Sequence, residues 1–323
     1  VTEASYAPGA ERWLRTLPGT ELTVSAVALG GGPLGSMPEL FGREVSAEEG
    51  VATVLAAFDS PIRFVDTANG YSDGESERRI GAAIGLWEGL PEGVVVATKV
   101  DPRGADYSGQ RVRQSVVESR ARLGLDELPL VHLHDPEGHD FATMTAPGGA
   151  VDTLVELRDS GVVGRIGLAG GRVQEIARYL DLGVFDVLLV HNRWTLLDRS
   201  AGPLVAEAHR RGMGVLNAAV YGGGILAAQQ GGPTTYGYRP APPEVLEAAA
   251  RMREACAAHG TDIATAALQF SLRDERIAST IVGMSRPGHV TATVEAAARA
   301  LPDALWDELE GLLPPSRTWL DAE

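Results

Sequence analysis

The chain has 323 residues, 44% of them hydrophobic, enough to bury a large core as one α/β domain or two smaller ones. A formal charge of −15 and an isoelectric point near 4.9 oppose nucleic acid or an anionic membrane as the main partner, because the long-range field repels both. The single cysteine, Cys256, permits no internal disulfide, and no run of eighteen apolar residues marks a spanning helix. Glu11, Arg12 and Arg15 interrupt the first twenty residues, so no leader of signal length is expected and the protein is read as soluble and cytoplasmic.

The predicted elements alternate along the chain. VSAVALG from Val24 reads as a strand, after which Ser46 is placed to cap a helix with Glu49 as its capping-box partner and Val51, Val54, Leu55 and Phe58 on one face. IRFVD from Ile62 is the next strand, followed by a helix with Ile80, Ala83, Ile84 and Trp87 on one side. VVVATK from Val94 precedes a helix striped by Val112, Val116, Ser119 and Leu123. PLVHLH from Pro129 and RIGL from Arg165 are strands, and Val173, Ile176, Ala177 and Leu180 make another helical face. VLLVHN from Val187 and GVLNAA from Gly214 follow, then a helix through Ile263, Ala266, Ala267 and Phe270, and last STIVG from Ser279. Cys256 lies in an apolar helical pattern, as a core residue rather than a nucleophile.

Several of these eight runs show little alternation, as expected for strands covered on both faces. Gly124, Gly161, Gly183 and Gly212 fall where helices need a left-handed cap, and Gly260 links two helices. Eight strands alternating with helices, without a break in composition, predict an α/β fold: a closed (β/α)8 TIM barrel, one domain over residues 1–323, with an extra C-terminal helix. A doubly wound open sheet is the alternative.

In such a barrel the chemistry sits at the C-terminal ends of the strands. Asp66 ends the second strand, Lys99 the third and His134 the fourth, while Tyr71 follows Asp66 in FVDTANGYSDGESE. Each has a plainer reading: Asp66 as an Asx-turn, Tyr71 as a loop aromatic, Lys99 as a charged strand end, His134 as a satisfied interior histidine. Together they suit protonation of a carbonyl oxygen while hydride arrives at its carbon, or the reverse oxidation of an alcohol. A nearby ammonium favours the phenolate of a tyrosine, a carboxylate keeps a buried lysine charged, and imidazole can hold a carbonyl or hydroxyl in line. His132 and His134 also form an H-x-H pair of the kind found in metal hydrolases, but no second histidine pair accompanies it, and His132 is expected one layer lower in the core. No metal is expected.

The same residues resemble the signature of the aldo-keto reductase superfamily: Asp66 and Tyr71 followed by Ser76, Glu77 and Gly81, with Lys99 from ATKVD and His134 from VHLHDPE. The likeness runs from about Thr20 to Leu312. It implies a barrel binding NAD(P)(H), with Tyr71 as acid or base, Lys99 and Asp66 tuning it, and His134 orienting a small sugar or carbonyl substrate. LHDPEGHD, NRWTLLDRS, YGGGILA and TTYGYRPAPPEV resemble the bacterial aldose 1-dehydrogenases, which oxidise an anomeric hydroxyl to a lactone. Reduction of aldehydes or keto sugars with NADPH is an alternative, and a cofactor-binding regulatory subunit is an alternative of another class. The resemblance leaves a homo-oligomer open.

Where many members carry Ser-Asn after the fifth strand to hold the nicotinamide amide, this chain has Ala169 and Gly170. His191 matches the common glutamine of the sixth strand, and Asn192 stands beside it as a compensating group. Tyr221, Gly222, Gly223 and Gly224 resemble the segment that wraps the pyrophosphate. Gly283, Ser285, Arg286 and His289 resemble the adenosine end, where an arginine favours a 2′-phosphate and hence NADP(H) over NAD(H).

Overall fold

The structure, a computed structural model, describes residues 6–227 and 232–322. Eight parallel strands close on themselves: β1 (Val27–Gly30), β2 (Phe64–Asp66), β3 (Val95–Val100), β4 (Leu128–His134), β5 (Val163–Gly170), β6 (Val187–His191), β7 (Gly214–Ala218) and β8 (Ser279–Gly283), which pairs back onto β1. Each lies on one of the eight apolar runs, and closure leaves no barrel strand with an unpaired edge. The helices of eight residues or more are α1 (Ala47–Asp59), α2 (Glu75–Leu86), α3 (Gly109–Leu123), α4 (Ala150–Asp159), α5 (Val173–Leu180), α6 (Gly202–Arg210), α7 (Pro243–Ala258), α8 (Ile263–Arg273) and α9 (Pro287–Ala298), with α10 (Asp303–Glu310) as the extra C-terminal helix. Among the described residues no helix is long and apolar enough to cross a membrane.

Most residues of the predicted stripes face the core, but Trp87, just past the end of α2, is 40% exposed. Val112, Val116, Ser119 and Leu123 of α3 are all buried, as are Ile263, Ala266 and Ala267 of α8, and Cys256 is buried within α7. Gly124, Gly161, Gly183, Gly212 and Gly260 all sit at positive φ. Ser46 caps α1 by accepting the Glu49 N–H at 3.1 Å, but Glu49 does not complete the box. Its carboxylate pairs instead with Arg43 at 2.7 Å, a partner that loop geometry supplies.

VSAVALG is two elements rather than one strand. Thr23–Ser25 pairs antiparallel with Leu14–Thr16 in an N-terminal hairpin, and only Val27–Gly30 enters the barrel. Ser25 makes the pivot: its hydroxyl accepts the Arg63 N–H at 2.8 Å and its carbonyl accepts the Ser279 hydroxyl at 2.7 Å. Leu17 and Val24 of the hairpin pack with Ala28, Phe64, Leu130 and Leu216 to close the barrel floor. Residues of a plug and of a strand are equally apolar, so the pattern cannot separate them.

Gly81 owes its place to packing. A Cβ there would lie 2.0 Å from the Arg122 carbonyl oxygen, where α2 crosses the end of α3. Gly81→Ala is expected to destabilise the protein by about 1–3 kcal/mol, the usual cost of overpacking against backbone; chemical denaturation reads it, and an unchanged midpoint would show that the crossing yields freely.

Candidate active site

The C-terminal rim brings Asp66, Tyr71, Lys99 and His134 around one cleft of about 260 Å³. Lys99 lies within β3, one residue before its end, and in register with His132 of β4. Its ammonium donates to Asp66 Oδ2 at 2.6 Å, to the Thr67 carbonyl at 2.8 Å and to the Tyr71 hydroxyl at 3.2 Å, using all three protons. The Nζ atom also stands 4.7 Å from the centre of the Tyr71 ring.

The stretch between Asp66 and Tyr71 does not lift off the rim as a free loop. Thr67 and Asn69 keep hydrogen-bonding to β3, through the carbonyls of Ala97 and Lys99. The chain then reverses in a turn over Tyr71–Gly74, where Ser72 and Asp73 both take left-handed φ, and Tyr71 folds back over Lys99. Ser76 and Glu77 fasten this turn. The Ser76 hydroxyl donates to the Gly31 carbonyl at 2.8 Å, and the fully buried Glu77 accepts from Thr98 at 2.7 Å and Arg122 at 3.1 Å.

The electrostatics sharpen one expectation and reverse another. Burial is the largest influence and works to lower the pKa of Lys99, but Asp66 and Tyr71 together outweigh it and raise the value above that of free lysine. Lys99 is therefore an ammonium at neutral pH. Tyr71 goes up rather than down: burial of the phenolate is the largest effect, and Lys99 offsets only part of it. Burial likewise pulls His134 down, while Asp101 and Asp135 outweigh it and raise the imidazole.

His134 ends β4 and its ring meets that of Tyr71 in a T-shaped contact, with centroids 5.6 Å apart. His132 is one layer lower, fully buried and packed on Gly167, where a Cβ would lie 2.1 Å from its Nδ1. Burial holds its imidazole far below the usual range, so it is a neutral core residue. Asp135, Glu137 and His191 bring ligand-type atoms within 4.8 Å of one another, and Glu137 Oε2 is buried there without a hydrogen-bond partner. Asp135 lies 3.5 Å from His191 Nε2 and 3.8 Å from His134 Nε2, and Glu137 Oε1 accepts the Gly171 N–H at 2.6 Å.

The remaining residues fall into three groups. His191 ends β6 at the cleft, and Asn192 bonds its Nδ1 at 3.1 Å while the buried Asn192 Oδ1 has no hydrogen-bond partner. A Cβ at Gly170 would meet the ends of two flexible side chains, Ile176 Cδ1 at 2.3 Å and Glu137 Oε2 at 2.5 Å, so both would have to shift to admit one. Tyr221 leads into Gly222, Gly223 and Gly224, all at positive φ, with the Tyr236 ring where a Gly222 Cβ would go. Gly283 lines the cleft at the end of β8, and beyond it Arg286 Nε lies 2.9 Å from His289 Nε2 at the start of α9. Ser285 is buried there, and Arg43 reaches its hydroxyl and carbonyl, each at 3.3 Å.

A nicotinamide dinucleotide suits this surface. The orphaned Asn192 oxygen next to the cleft offers an acceptor; of the three left-handed glycines, Gly222 and Gly224 already donate their N–H groups to the Ala219 and Tyr221 carbonyls, at 2.9 and 3.0 Å. Arg43 and Arg286 flank a helix N-terminus. Arg43, Asp101, Asp135 and Glu137 escaped the sequence reading. The first comes from a distant loop, and the others sat inside quoted motifs, in ATKVD and LHDPE, beside residues with more obvious chemistry.

The Aldo/keto reductase family model matches residues 26–314. The chain is similar to a D-threo-aldose 1-dehydrogenase from Pseudomonas sp, at 32% identity covering 89% of this chain and 94% of that one. It is also similar to an L-galactose dehydrogenase of Arabidopsis thaliana, at 32% identity over 95% of this chain and 96% of that one. A solved aldo-keto reductase from Bacillus halodurans superposes with a TM-score of 0.78 at 21% identity, over 97% of this chain and all of that one.

Proposed function

The chain belongs to the aldo/keto reductase family, and from that premise we propose that it oxidises the anomeric hydroxyl of an aldose to the lactone with NADP(H) as the cofactor. It is an NAD(P)-dependent oxidoreductase; the aldose and the phosphorylated cofactor are the finer reading. One observation carries the chemistry: the Lys99 ammonium, held by Asp66 at 2.6 Å, touches the Tyr71 hydroxyl at 3.2 Å on the wall of the cleft. Tyr71 moves the proton at its phenolic oxygen, Lys99 limits the cost of the phenolate, and His134 holds the reacting hydroxyl in line. The cofactor, when bound, supplies the hydride acceptor. With its phenol held above the ordinary tyrosine range, oxidation is expected to rise toward alkaline pH, which the pH profile of kcat/KM reads. His191 and Asp135 give the cleft further polar groups for a polyhydroxylated substrate, and the likeness to two sugar dehydrogenases supports that class.

The test is cofactor reduction followed by absorbance, crossing NAD and NADP with aldoses, pyridoxal and simple alcohols. Turnover of aldoses is the expected outcome; turnover of simple alcohols alone would refute the sugar reading. For the cofactor, Arg43, Ser285, Arg286 and His289 gather at the N-terminus of α9, where a phosphate is favoured. Arg286→Ala is expected to raise the KM for NADP roughly tenfold, as loss of a charge-assisted contact does, and to leave that for NAD nearly unchanged. Equal effects on both would place Arg286 away from the phosphate.

A further inference from the structure

Two carboxylates approach the His134 ring, and the one behind it does more than neutralise charge. Asp101 directly follows β3, and its Oδ1 lies 2.7 Å from His134 Nδ1. Its Oδ2 accepts the Gly70 N–H at 2.7 Å, the peptide next to Tyr71. A Cβ on Gly70 would come within 3.0–3.2 Å of that carboxyl group, so a larger residue there would push the carboxylate by a few tenths of an ångström. The backbone of His134 is fixed as well, since the buried Tyr107 hydroxyl accepts its N–H at 2.9 Å and donates to the Val100 carbonyl at 2.6 Å.

We infer that Asp101 is a positioning residue for the reaction: its carboxylate turns the Nδ1 proton of His134 toward itself, leaves Nε2 facing the cleft, and holds the turn that carries Tyr71. A carboxylate only accepts, so the Nδ1 beside it must donate. In the neutral imidazole Nε2 is then an acceptor, suited to an alcohol that donates its hydroxyl proton, which is the oxidative direction. The directional part of this assignment rests on the proposed oxidation. The groups facing the ring are Asp101 behind it, Asp135 3.8 Å from Nε2 with His191 beyond, Lys99 and Asp66 below, and the Tyr71 ring in T-shaped contact with it. Asp101 and Asp135 favour the imidazolium, whereas burial and Lys99 oppose it. As pH falls through the imidazole pKa, Nε2 gains a proton and ceases to accept, so oxidation declines.

Long-range proton–nitrogen NMR on labelled protein reads the tautomer directly, with the His134 signals assigned through His134→Gln. Neutral His134 in the wild type is expected to carry its proton on Nδ1; a proton on Nε2 would overturn the inference without any variant being made. In Asp101→Asn the charge is gone, and one oxygen cannot serve both Gly70 and His134. The imidazole titration and the acid limb of kcat/KM for oxidation are both expected to move to lower pH by roughly one unit, and Asp101→Glu to restore part of the shift. A variant with lower kcat but an unmoved limb and unmoved titration would reduce Asp101 to a structural tie and refute the positioning role. Wild-type protein that shows the expected tautomer yet oxidises no aldose would refute the proposed function while supporting the Asp101–His134 coupling.

Discussion

Tyr71→Phe is expected to bind cofactor within a few-fold of the wild type and to lose turnover by about 10²–10⁴, the range for a positioned proton carrier. The ring of the variant keeps the packing that Tyr71 makes: its T-shaped contact with His134 and its face toward Lys99 are formed by carbon atoms that phenylalanine retains. Only the hydroxyl 3.2 Å from Lys99 Nζ is removed. Lys99 keeps two of its three acceptors, so its charge stays satisfied and the fold should tolerate the change. Stopped-flow hydride transfer with the best substrate from the screen, together with cofactor fluorescence titration, separates chemistry from binding. Near wild-type hydride transfer would remove Tyr71 from the mechanism.

Lys99→Met strikes both stability and catalysis. It leaves the Asp66 carboxylate buried without its counter-charge, and breaking a buried pair in this way costs about 3–5 kcal/mol. The pH dependence has a definite sign. In the wild type the Lys99 pKa is raised above its unfolded value, so its contribution is complete below the ordinary lysine value of 10.5 and disappears only as pH rises beyond it. In the variant the unpaired Asp66, for which burial favours the neutral form, makes the loss greatest at neutral pH and smaller on acidification. Adding Asp66→Asn to Lys99→Met is expected to recover most of the stability and none of the activity, since Tyr71 still lacks its cation. Urea denaturation across pH measures the first claim and turnover the second. A double variant no more stable than Lys99→Met would show that the pair is not what holds this part of the rim.

Much of the candidate site was legible because barrel chemistry concentrates at strand ends, and apolar runs show where strands end. Asp66, Lys99 and His134 follow from that rule with Tyr71 close behind, and the structure brings all four to one cleft. The behaviour of Tyr71 was not legible in the same way. From the sequence, Lys99 was expected to bring the phenol down, but depth of burial is a property of the assembled rim, and burial prevails. Gly170 makes a similar point. Its identity looked like a missing amide, and the structure adds that the movable ends of the Ile176 and Glu137 side chains lie where a Cβ would go. Glu49, read as a capping-box partner, found Arg43 instead, because that arginine is delivered by a loop whose path local pattern does not encode.

The sequence by itself determined eight apolar runs alternating with helices, favoured their closure into a barrel over an open sheet, and determined most of the helix faces, the left-handed glycines between elements, and the four polar groups at three successive strand ends. These follow from hydrophobic period and residue conformational preference, which act over a few neighbours. Only the tertiary structure decided that the first apolar run divides into a floor plug and a strand, that Asp101 joins the Tyr71 turn to His134, and that Arg43 meets Ser285 across 242 residues of chain. The physical reason is range. Hydrogen bonds and charges act over a few ångströms between groups that may be far apart in sequence, so their partners exist only once the barrel has closed.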